Sequence, residues 1–360
     1  MRFVKQRNSL NKIATVTAYL LIGIFIFAVI IPLVIAIYER IATSSWNEIT
    51  GIMPFVDPKQ EYYRGKTLWD LLDLLIIPLV LALGAFGLNQ SARKVELEIA
   101  KNRDEIERQS RKEQENETAL QNYLDKMSQL ILDQGLTKSL PENPIRDVAR
   151  SRTLTVLRVL DGLRKGLLLR FLYEAELINK SSTVINLRGA DLSGADLYKV
   201  NLYNANLSEV IFKGANLEQA ILEGANLSSA NLEGANLCKA SLRWANLSEA
   251  NLVSANLHQA TVVSANFDLA NLSNATCTNS SIIQCKFSDA NLSKVNLSFS
   301  NLTGTSFFGA DLTSAKLINA QMADTNLLWT DLTEADLTGA TVTQDQLKKA
   351  RSLENIKGIS

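Results

Sequence analysis

The chain has 360 residues, and its 37 lysine and arginine side chains balance 37 aspartate and glutamate side chains, so the formal net charge at pH 7 is zero. This balance gives the whole chain no electrostatic preference for a polyanionic or polycationic partner. The chain's one histidine, His258, falls at an outward position of the five-residue repeat in residues 181–343, so no histidine-based metal cluster or Ser-His-Asp triad is available, and three cysteines do not predict a disulfide framework. We therefore expect no catalytic, cofactor-binding or metal-binding residues.

The N-terminal part, residues 1–92, predicts a membrane hairpin. Residues 13–37 are 25 residues without a charged side chain, which is long enough to span a bilayer with some tilt. Four basic residues precede this segment and predict a cytoplasmic N-terminus. A cleaved signal peptide is the alternative, but the apolar run is too long for one and no small-residue cleavage site follows it.

A second transmembrane helix is predicted over about residues 68–88, and Asp70 and Asp73 lie in its first turn. Carboxylates inside a membrane can mark an ion path, which would suit an oligomeric channel or transporter-associated subunit. At a helix N-terminus near the headgroups, however, they are hydrated and favoured by the helix dipole. The basic residues after the segment predict that the bulk of the chain is cytoplasmic.

Residues 93–180 predict a helical connector. Its first helix is wholly polar over residues 107–118, and then Leu120, Leu124 and Met127 keep helical spacing along one face. That face predicts either a short coiled coil, which would make the chain a homo-oligomer, or packing against the chain's own next helix. The short length of the apolar pattern favours the second arrangement.

The end of the connector, residues 145–178, predicts a basic amphipathic helix, because eight basic and four acidic side chains lie between Arg146 and Lys180. Such a helix can lie on an anionic membrane surface. It can also cover the open first coil of a stacked repeat, whose exposed backbone and apolar axis need protection. We prefer this N-terminal cap, because the helix leads directly into a repeat.

A strict five-residue repeat over residues 181–343 decides the fold. Every fifth position from Leu187 to Val342 is apolar, 32 positions in succession, and 23 of them are leucine. Two positions before each stands a small residue, alanine in 22 of the 32 repeats, and the position between is usually asparagine or aspartate. A period this regular predicts a stacked repeat architecture.

A period of five residues fits neither a straight helix nor a flat strand, because the leucines would spiral around the first and alternate between the faces of the second. They all point inward only if the backbone bends once per repeat, so that four repeats close a square coil of 20 residues. Phe267, Phe287 and Phe307 are 20 residues apart and should stack on one face. Cys277 and Cys285 fall at inward positions, where a thiol acts as a small hydrophobe.

The A(D/N)LXX pattern, as in Ala225-Asn226-Leu227, resembles the pentapeptide-repeat family, whose fold is a right-handed quadrilateral β-helix. The connector string YLDKMSQLILDQGL is similar to the segment between membrane hairpin and repeats in bacterial, notably cyanobacterial, members. The predicted fold class is therefore mixed. It has two N-terminal transmembrane α-helices, an α-helical connector and a C-terminal right-handed parallel quadrilateral β-helix of about eight coils. Residues 344–360 predict a cap helix and tail, started by Thr343.

The resemblance and the hairpin together predict a multi-pass protein of a bacterial inner membrane, plasma or thylakoid, with both termini in the cytoplasm. The lipid bilayer is then one partner. A protein partner is predicted from two clusters of outward apolar residues, since such clusters mark interaction sites. The first cluster consists of Trp244, Val263 and Ile283, and the second of Phe308, Leu328 and Trp329. Cover by the terminal helix is the alternative for the second cluster.

The predicted function is that of a membrane-anchored, non-enzymatic interaction or scaffold protein that displays a rigid rod. Some family members carry an acidic surface shaped like DNA and protect topoisomerases, which gives one alternative, and the channel subunit gives another. Residues 184–342 carry 14 acidic and 8 basic side chains, and the interspersed lysines count against DNA mimicry. Nucleic acid is therefore not an expected partner.

Overall fold

The computed structural model of the protein describes residues 55–56, 62–63 and 68–359. The chain divides into two units, Met1–Glu105 and Ile106–Ser360. The helices and strands are, in chain order, β1 (Phe55–Val56), β2 (Tyr62–Tyr63), α1 (Leu68–Leu132), a short 3-10 helix (Leu136–Lys138), α2 (Pro144–Leu157), α3 (Gly162–Glu174), β3 (Thr261–Val263), β4 (Ser281–Ile283) and α4 (Gln344–Leu347). Strands β1 and β2 pair antiparallel, with Phe55 opposite Tyr63.

The prediction of two transmembrane helices is wrong. Within the described part of the chain, no helix has the length and the apolar composition needed to cross a bilayer. Residues 68–88 do not form a separate apolar helix, because they begin the 65-residue helix α1, which continues into a highly charged sequence. The first predicted segment, residues 13–37, lies outside the described residues.

Two further predictions depend on that hairpin. A lipid bilayer as partner and a channel built on the hairpin both lose their support with it. The location in a bacterial inner membrane is not tested and stays a prediction.

Residues 145–178 form two helices where the sequence predicts one. Asn143 caps α2, with Pro144 at its first position, where a missing backbone N–H costs nothing. Asp161 begins α3 as its N-cap, and its side chain accepts a hydrogen bond from the Arg164 backbone N–H at 2.9 Å. The Asp161 cap therefore interrupts what the apolar spacing alone predicts as a continuous helix.

The C-terminal part of α1 packs against α2 and α3. Leu120 and Met127 are buried, and the Tyr123 hydroxyl lies 2.8 Å from Thr153 Oγ1 on α2. The Tyr123 ring also meets Phe171 of α3 edge to face. Of the two arrangements predicted for this face, packing on the chain's own following helices is the one that forms.

The repeats form the predicted parallel β-helix. Backbone bridges join residues 20 positions apart, and one coil contributes four of them. Successive examples around the coil are Asp191↔Ile211, Asp196↔Asn216, Asn201↔Ile221 and Asn206↔Asn226. The inward residues from Leu187 to Leu337 are at most 2% exposed. The square coil of four five-residue sides is therefore correct.

The asparagines between alanine and leucine serve the stacking. Asn251 Nδ2 donates to Asn231 Oδ1 at 3.2 Å, and Asn256 Nδ2 donates to Asn236 Oδ1 at 3.1 Å. The same Oδ1 atoms accept the backbone N–H two residues further on, as Asn231 does from Glu233 at 3.1 Å. Amides on stacked coils therefore donate to one another, and these ladders use the polar groups that could otherwise suggest a binding site.

Basic side chains of α2 and α3 close the first coil. Arg150 donates to the carbonyl oxygens of Asn186 and Arg188, each at 2.9 Å. Arg170 donates to the Tyr198 carbonyl at 2.8 Å, in the same manner. A parallel coil leaves such carbonyls unpaired at its open edge, and an unpaired buried carbonyl is costly. The excess of basic residues in this segment therefore belongs to the cap of the rod.

Two glycines let α3 approach this coil closely. The Asp196 backbone N–H donates to the Gly162 carbonyl at 2.8 Å, a direct bond between coil and helix. A methyl group built on Gly166 would lie 2.0 Å from the Asp196 carbonyl oxygen. Only glycine allows this contact, so both positions fix the seating of α3.

The last coil is closed by α4 and the tail. Thr343 forms a capping box with Gln346 at the start of α4. The Gln346 side-chain amide donates to the carbonyl oxygens of Met322 and Thr325, at 2.8 Å and 3.0 Å. Leu347 is buried against the end of the rod.

Candidate interaction surface

One side of the rod differs from the others in backbone conformation. We name it the Val262 face, after an inward column that contains Leu242, Val262, Ile282 and Leu302. Here β3 and β4 pair in parallel with Val263 opposite Ile283, whereas the bridges around them involve single residues. Paired β-branched residues, Val262-Val263 and Ile282-Ile283, favour extended backbone and account for these strands.

The Val262 face brings together the first predicted cluster. The Trp244 backbone N–H donates to the Val263 carbonyl at 2.8 Å, so these residues lie on neighbouring coils. Trp244 sits at the bend that leaves the face, with φ of 55°, and its side chain is 59% exposed. Val263 and Ile283 are half-buried beside it. The prediction that these three residues lie together on one face, made from the 20-residue coil, is therefore correct.

Few charges surround this cluster. Glu223 and Arg243 form an ion pair at 3.8 Å, and the Ser241 hydroxyl donates to Glu223 at 2.6 Å. Toward the C-terminal end the outward residues of the face are uncharged until Asp324. Covering such a surface removes apolar area from water and strips little hydration from charges.

The second predicted cluster lies on an adjacent side, which we name the Phe287 face after its inward column of Phe267, Phe287 and Phe307. Phe308 and Leu328 stack there, since Gly309 donates to the Leu328 carbonyl at 3.0 Å. The Trp329 backbone N–H donates to the Lys349 carbonyl at 2.9 Å, but the Trp329 side chain remains 60% exposed. The segment after α4 thus reaches this corner without burying the cluster.

Among the exposed apolar residues that sequence reasoning missed, Leu269 and Phe299 are the most exposed on the rod. Both occupy the second position after an inward residue, and both have positive φ. This position lies at the bend of the coil, where Trp244 and Trp329 also lie. An apolar residue at the bend position of a repeat is therefore the sequence signal that predicts such exposure. Phe299 stands two residues before Asn301, at the bend that enters the Val262 face.

Charges elsewhere on the rod are mixed. The carboxylate of Glu209 lies 2.6 Å from Arg188, and that of Glu233 lies 3.0 Å from Lys213. These pairs neutralise part of the acidic excess. Basic side chains therefore interrupt the negative charge at these two places.

Among residues 68–359, no three His, Cys, Asp or Glu side chains are grouped so that they could hold a metal ion. His258 Nδ1 lies 2.7 Å from Thr278 Oγ1 of the next coil, so the imidazole takes part in stacking.

Comparison with known proteins agrees with the repeat geometry. The profile described as pentapeptide repeats matches eight copies in segments between residues 185 and 344. HetL, a pentapeptide repeat protein involved in heterocyst differentiation regulation in the cyanobacterium Nostoc, is 31% identical in sequence. That match covers 48% of this chain and 81% of HetL, with a TM-score of 0.28. The chain belongs to the pentapeptide-repeat family.

Two other solved pentapeptide-repeat structures are more distant. Rfr23 of the cyanobacterium Cyanothece is 22% identical, over 53% of this chain and 99% of Rfr23, with a TM-score of 0.20. QnrB1, a plasmid-mediated fluoroquinolone resistance protein, is 16% identical, over 46% of this chain and 90% of QnrB1, with a TM-score of 0.23. Comparison with curated proteins gives no match.

Pentapeptide-repeat proteins are generally non-catalytic structural or interaction proteins. The finer prediction of a membrane-anchored bacterial type is not confirmed by these matches.

Proposed function

We propose that this pentapeptide-repeat protein is a non-enzymatic scaffold whose Val262 face binds a protein partner through Trp244, Val263 and Ile283. The observation that carries the proposal is the position of an exposed tryptophan beside two stacked β-branched residues on a nearly uncharged face. Tryptophan is enriched among the residues that dominate binding energy at protein interfaces. A flat apolar centre with a polar surround has the composition of such an interface.

The rod supports this role through its rigidity. Backbone bridges and amide ladders fix every coil to its neighbours, and the inward residues are fully packed. A surface that is already ordered loses little conformational entropy when a partner binds. The second cluster, Phe308, Leu328 and Trp329, is the next candidate for a protein contact.

The test is recovery of partners with the tagged full-length chain from its own cells, quantified by mass spectrometry. The variant Trp244→Ala/Ile283→Ser removes the first cluster, and Trp329→Ala/Leu328→Ser removes the second. Leu269→Ala is the matched control, because Leu269 is also 59% exposed but lies at another bend. We expect the first variant to lose a specific partner by about tenfold or more, as removal of an interface tryptophan does.

Circular dichroism of each purified variant must show an intact rod. Direct titration of the purified partner then separates loss of binding from loss of an indirect association. Equal recovery of every partner with Trp244→Ala/Ile283→Ser would sink the proposal. So would an equal loss with Leu269→Ala.

A further inference from the structure

Helix α1 carries a row of mostly apolar residues that are alternately four and three residues apart. The row consists of Leu88, Ala92, Val95, Ile99, Asn102 and Ile106, and we name it the α1 seam. An average period of 3.5 residues is the heptad pattern that brings two helices together along one line. In heptad notation, Ala92, Ile99 and Ile106 occupy a positions, and Leu88, Val95 and Asn102 occupy d positions.

The α1 seam has no cover within the described part of the chain. Ile99 is 60% exposed and Val95 is 55% exposed, and the polar Asn102 is exposed as well. The α1 seam therefore presents large apolar side chains to water. An unpaired row of this kind costs free energy unless another surface removes it from water.

The same spacing is already a packing line further along α1. Asn116, Leu120, Tyr123, Met127 and Leu130 continue it at spacings of four and three, and all of them are buried. In that part α2 and α3 supply the partner, as the Tyr123 contacts with Thr153 and Phe171 show. Along the α1 seam the same spacing therefore predicts packing against a helix other than α2 and α3.

The residues beside the α1 seam suit a parallel, in-register copy of the same helix. Glu98 occupies a g position and Arg103 the following e position, so each Glu98 faces Arg103 of the other copy. The remaining such combinations, Ser91 with Glu96 and Glu105 with Ser110, bring no like charges together. A parallel, in-register pair also places the two Asn102 amides side by side in the core, where each amide can hydrogen-bond to the other.

We propose that the α1 seam binds a second copy of this chain, forming a parallel two-stranded coiled coil over residues 88–106. Isoleucine at a positions with leucine at d positions favours two strands, and Ile99, Ile106 and Leu88 follow that rule. The dimer carries two rods, so a partner with two binding sites can engage both by avidity. This inference does not depend on which face of the rod binds the partner.

The first test is the mass of the purified full-length chain in solution, by light scattering after gel filtration. Wild type should have twice the chain mass of 39.7 kDa. Val95→Glu/Ile99→Glu should return to the mass of one chain, because two carboxylates would be buried at each level of the core. The matched control is Leu97→Glu, since Leu97 is 62% exposed on the same turn but lies off the seam.

The second test reports geometry by disulfide formation in a Cys238→Ser background, where the other two cysteines are buried. Leu88→Cys and Ile99→Cys, tested separately, should each give a covalent dimer under oxidising conditions. Leu97→Cys should not, because its Cβ atoms would be too far apart for a disulfide. An antiparallel pair cannot satisfy both Leu88→Cys and Ile99→Cys.

A single-chain mass for wild type overturns the proposal. A dimer that survives Val95→Glu/Ile99→Glu, or that is lost equally with Leu97→Glu, also overturns it. Cross-linking at only one of the two seam positions would contradict the parallel register.

Discussion

Phe267 and Phe287 stack face to face inside the rod, with ring centroids 4.7 Å apart and ring planes 10° apart. Phe307 continues the stack, with its centroid 5.3 Å from that of Phe287. Residues 20 positions apart therefore share a face, as the square coil predicts. The small Cys277 and Cys285 side chains lie in the same coils, so bulk on one side is offset on another, as close packing requires.

Replacing the middle ring should be costly. Phe287→Ala removes the contacts to both neighbours and leaves a cavity, so we expect the free energy of unfolding to fall by about 3–5 kcal/mol. Denaturant unfolding followed by circular dichroism measures this change. Phe299→Ala, at an exposed phenylalanine, is the control and should change stability by less than about 0.5 kcal/mol. Similar losses in the two variants would contradict the stacked arrangement.

The packing of α3 on the first coil should be disturbed by a single added methyl group. Gly166→Ala would place Cβ 2.0 Å from the Asp196 carbonyl oxygen, so the helix must move away from the coil. Hydrogen exchange at the Asp196 amide, which now donates to Gly162, should then become faster. Gly87→Ala is the control, because beyond its chain neighbours and the nearby backbone of its own helix no atom lies within 4 Å of the added methyl group. Unchanged exchange in Gly166→Ala would show that α3 is not held by this contact.

The rod could be predicted from the sequence because a strict period of five leaves only one way to keep every leucine inside. The same arithmetic placed Val263 over Ile283 and located Trp244 beside them. It could not show that these two coils form strands, because that depends on β-branched neighbours and not on the period. Nor could it rank exposure, which is greatest at bend positions such as Leu269.

The N-terminal half was harder because composition does not say where a helix ends. Residues 74–88 are apolar enough to suggest a membrane segment, but in the structure they continue into the charged part of α1. Residues 145–178 show the opposite case. Their apolar spacing predicts one helix, but Asp161 acts as an N-cap and starts a second one. In both cases the helix boundary depends on the residues that flank the apolar segment, and not on the apolar spacing itself.

The three cysteines should differ sharply in reactivity. Burial raises the pKa of the Cys277 thiol to about 12, and burial also raises that of Cys285 to about 12. The thiolate is the reactive form, so neither residue should react with a maleimide or alkylating reagent while the rod is folded. Cys238, which is only half-buried, should react first. Peptide mapping after a short labelling pulse distinguishes the three sites.

Labelling in increasing denaturant extends this test. Cys277 and Cys285 should become reactive together, because they lie in coils that stack on each other. Reaction of Cys277 in the native state would mean that the centre of the rod opens locally.

The end of the rod should loosen in acid through Asp331. A hydrogen bond from the Thr333 hydroxyl, at 2.6 Å, lowers the pKa of the Asp331 carboxyl, and the Arg351 guanidinium at 2.8 Å lowers it further. The folded pKa is below the unfolded value of about 3.9. The stabilisation is therefore complete above that value and is lost as pH falls through the folded pKa.

Unfolding free energies measured from pH 6 to pH 2 should fall more steeply for wild type than for Asp331→Asn. Asp324→Asn, at an exposed aspartate near the same end, controls for the general loss of negative charge and should follow wild type. Parallel curves for wild type and Asp331→Asn would show that the bond to Arg351 does not hold the tail on the last coil.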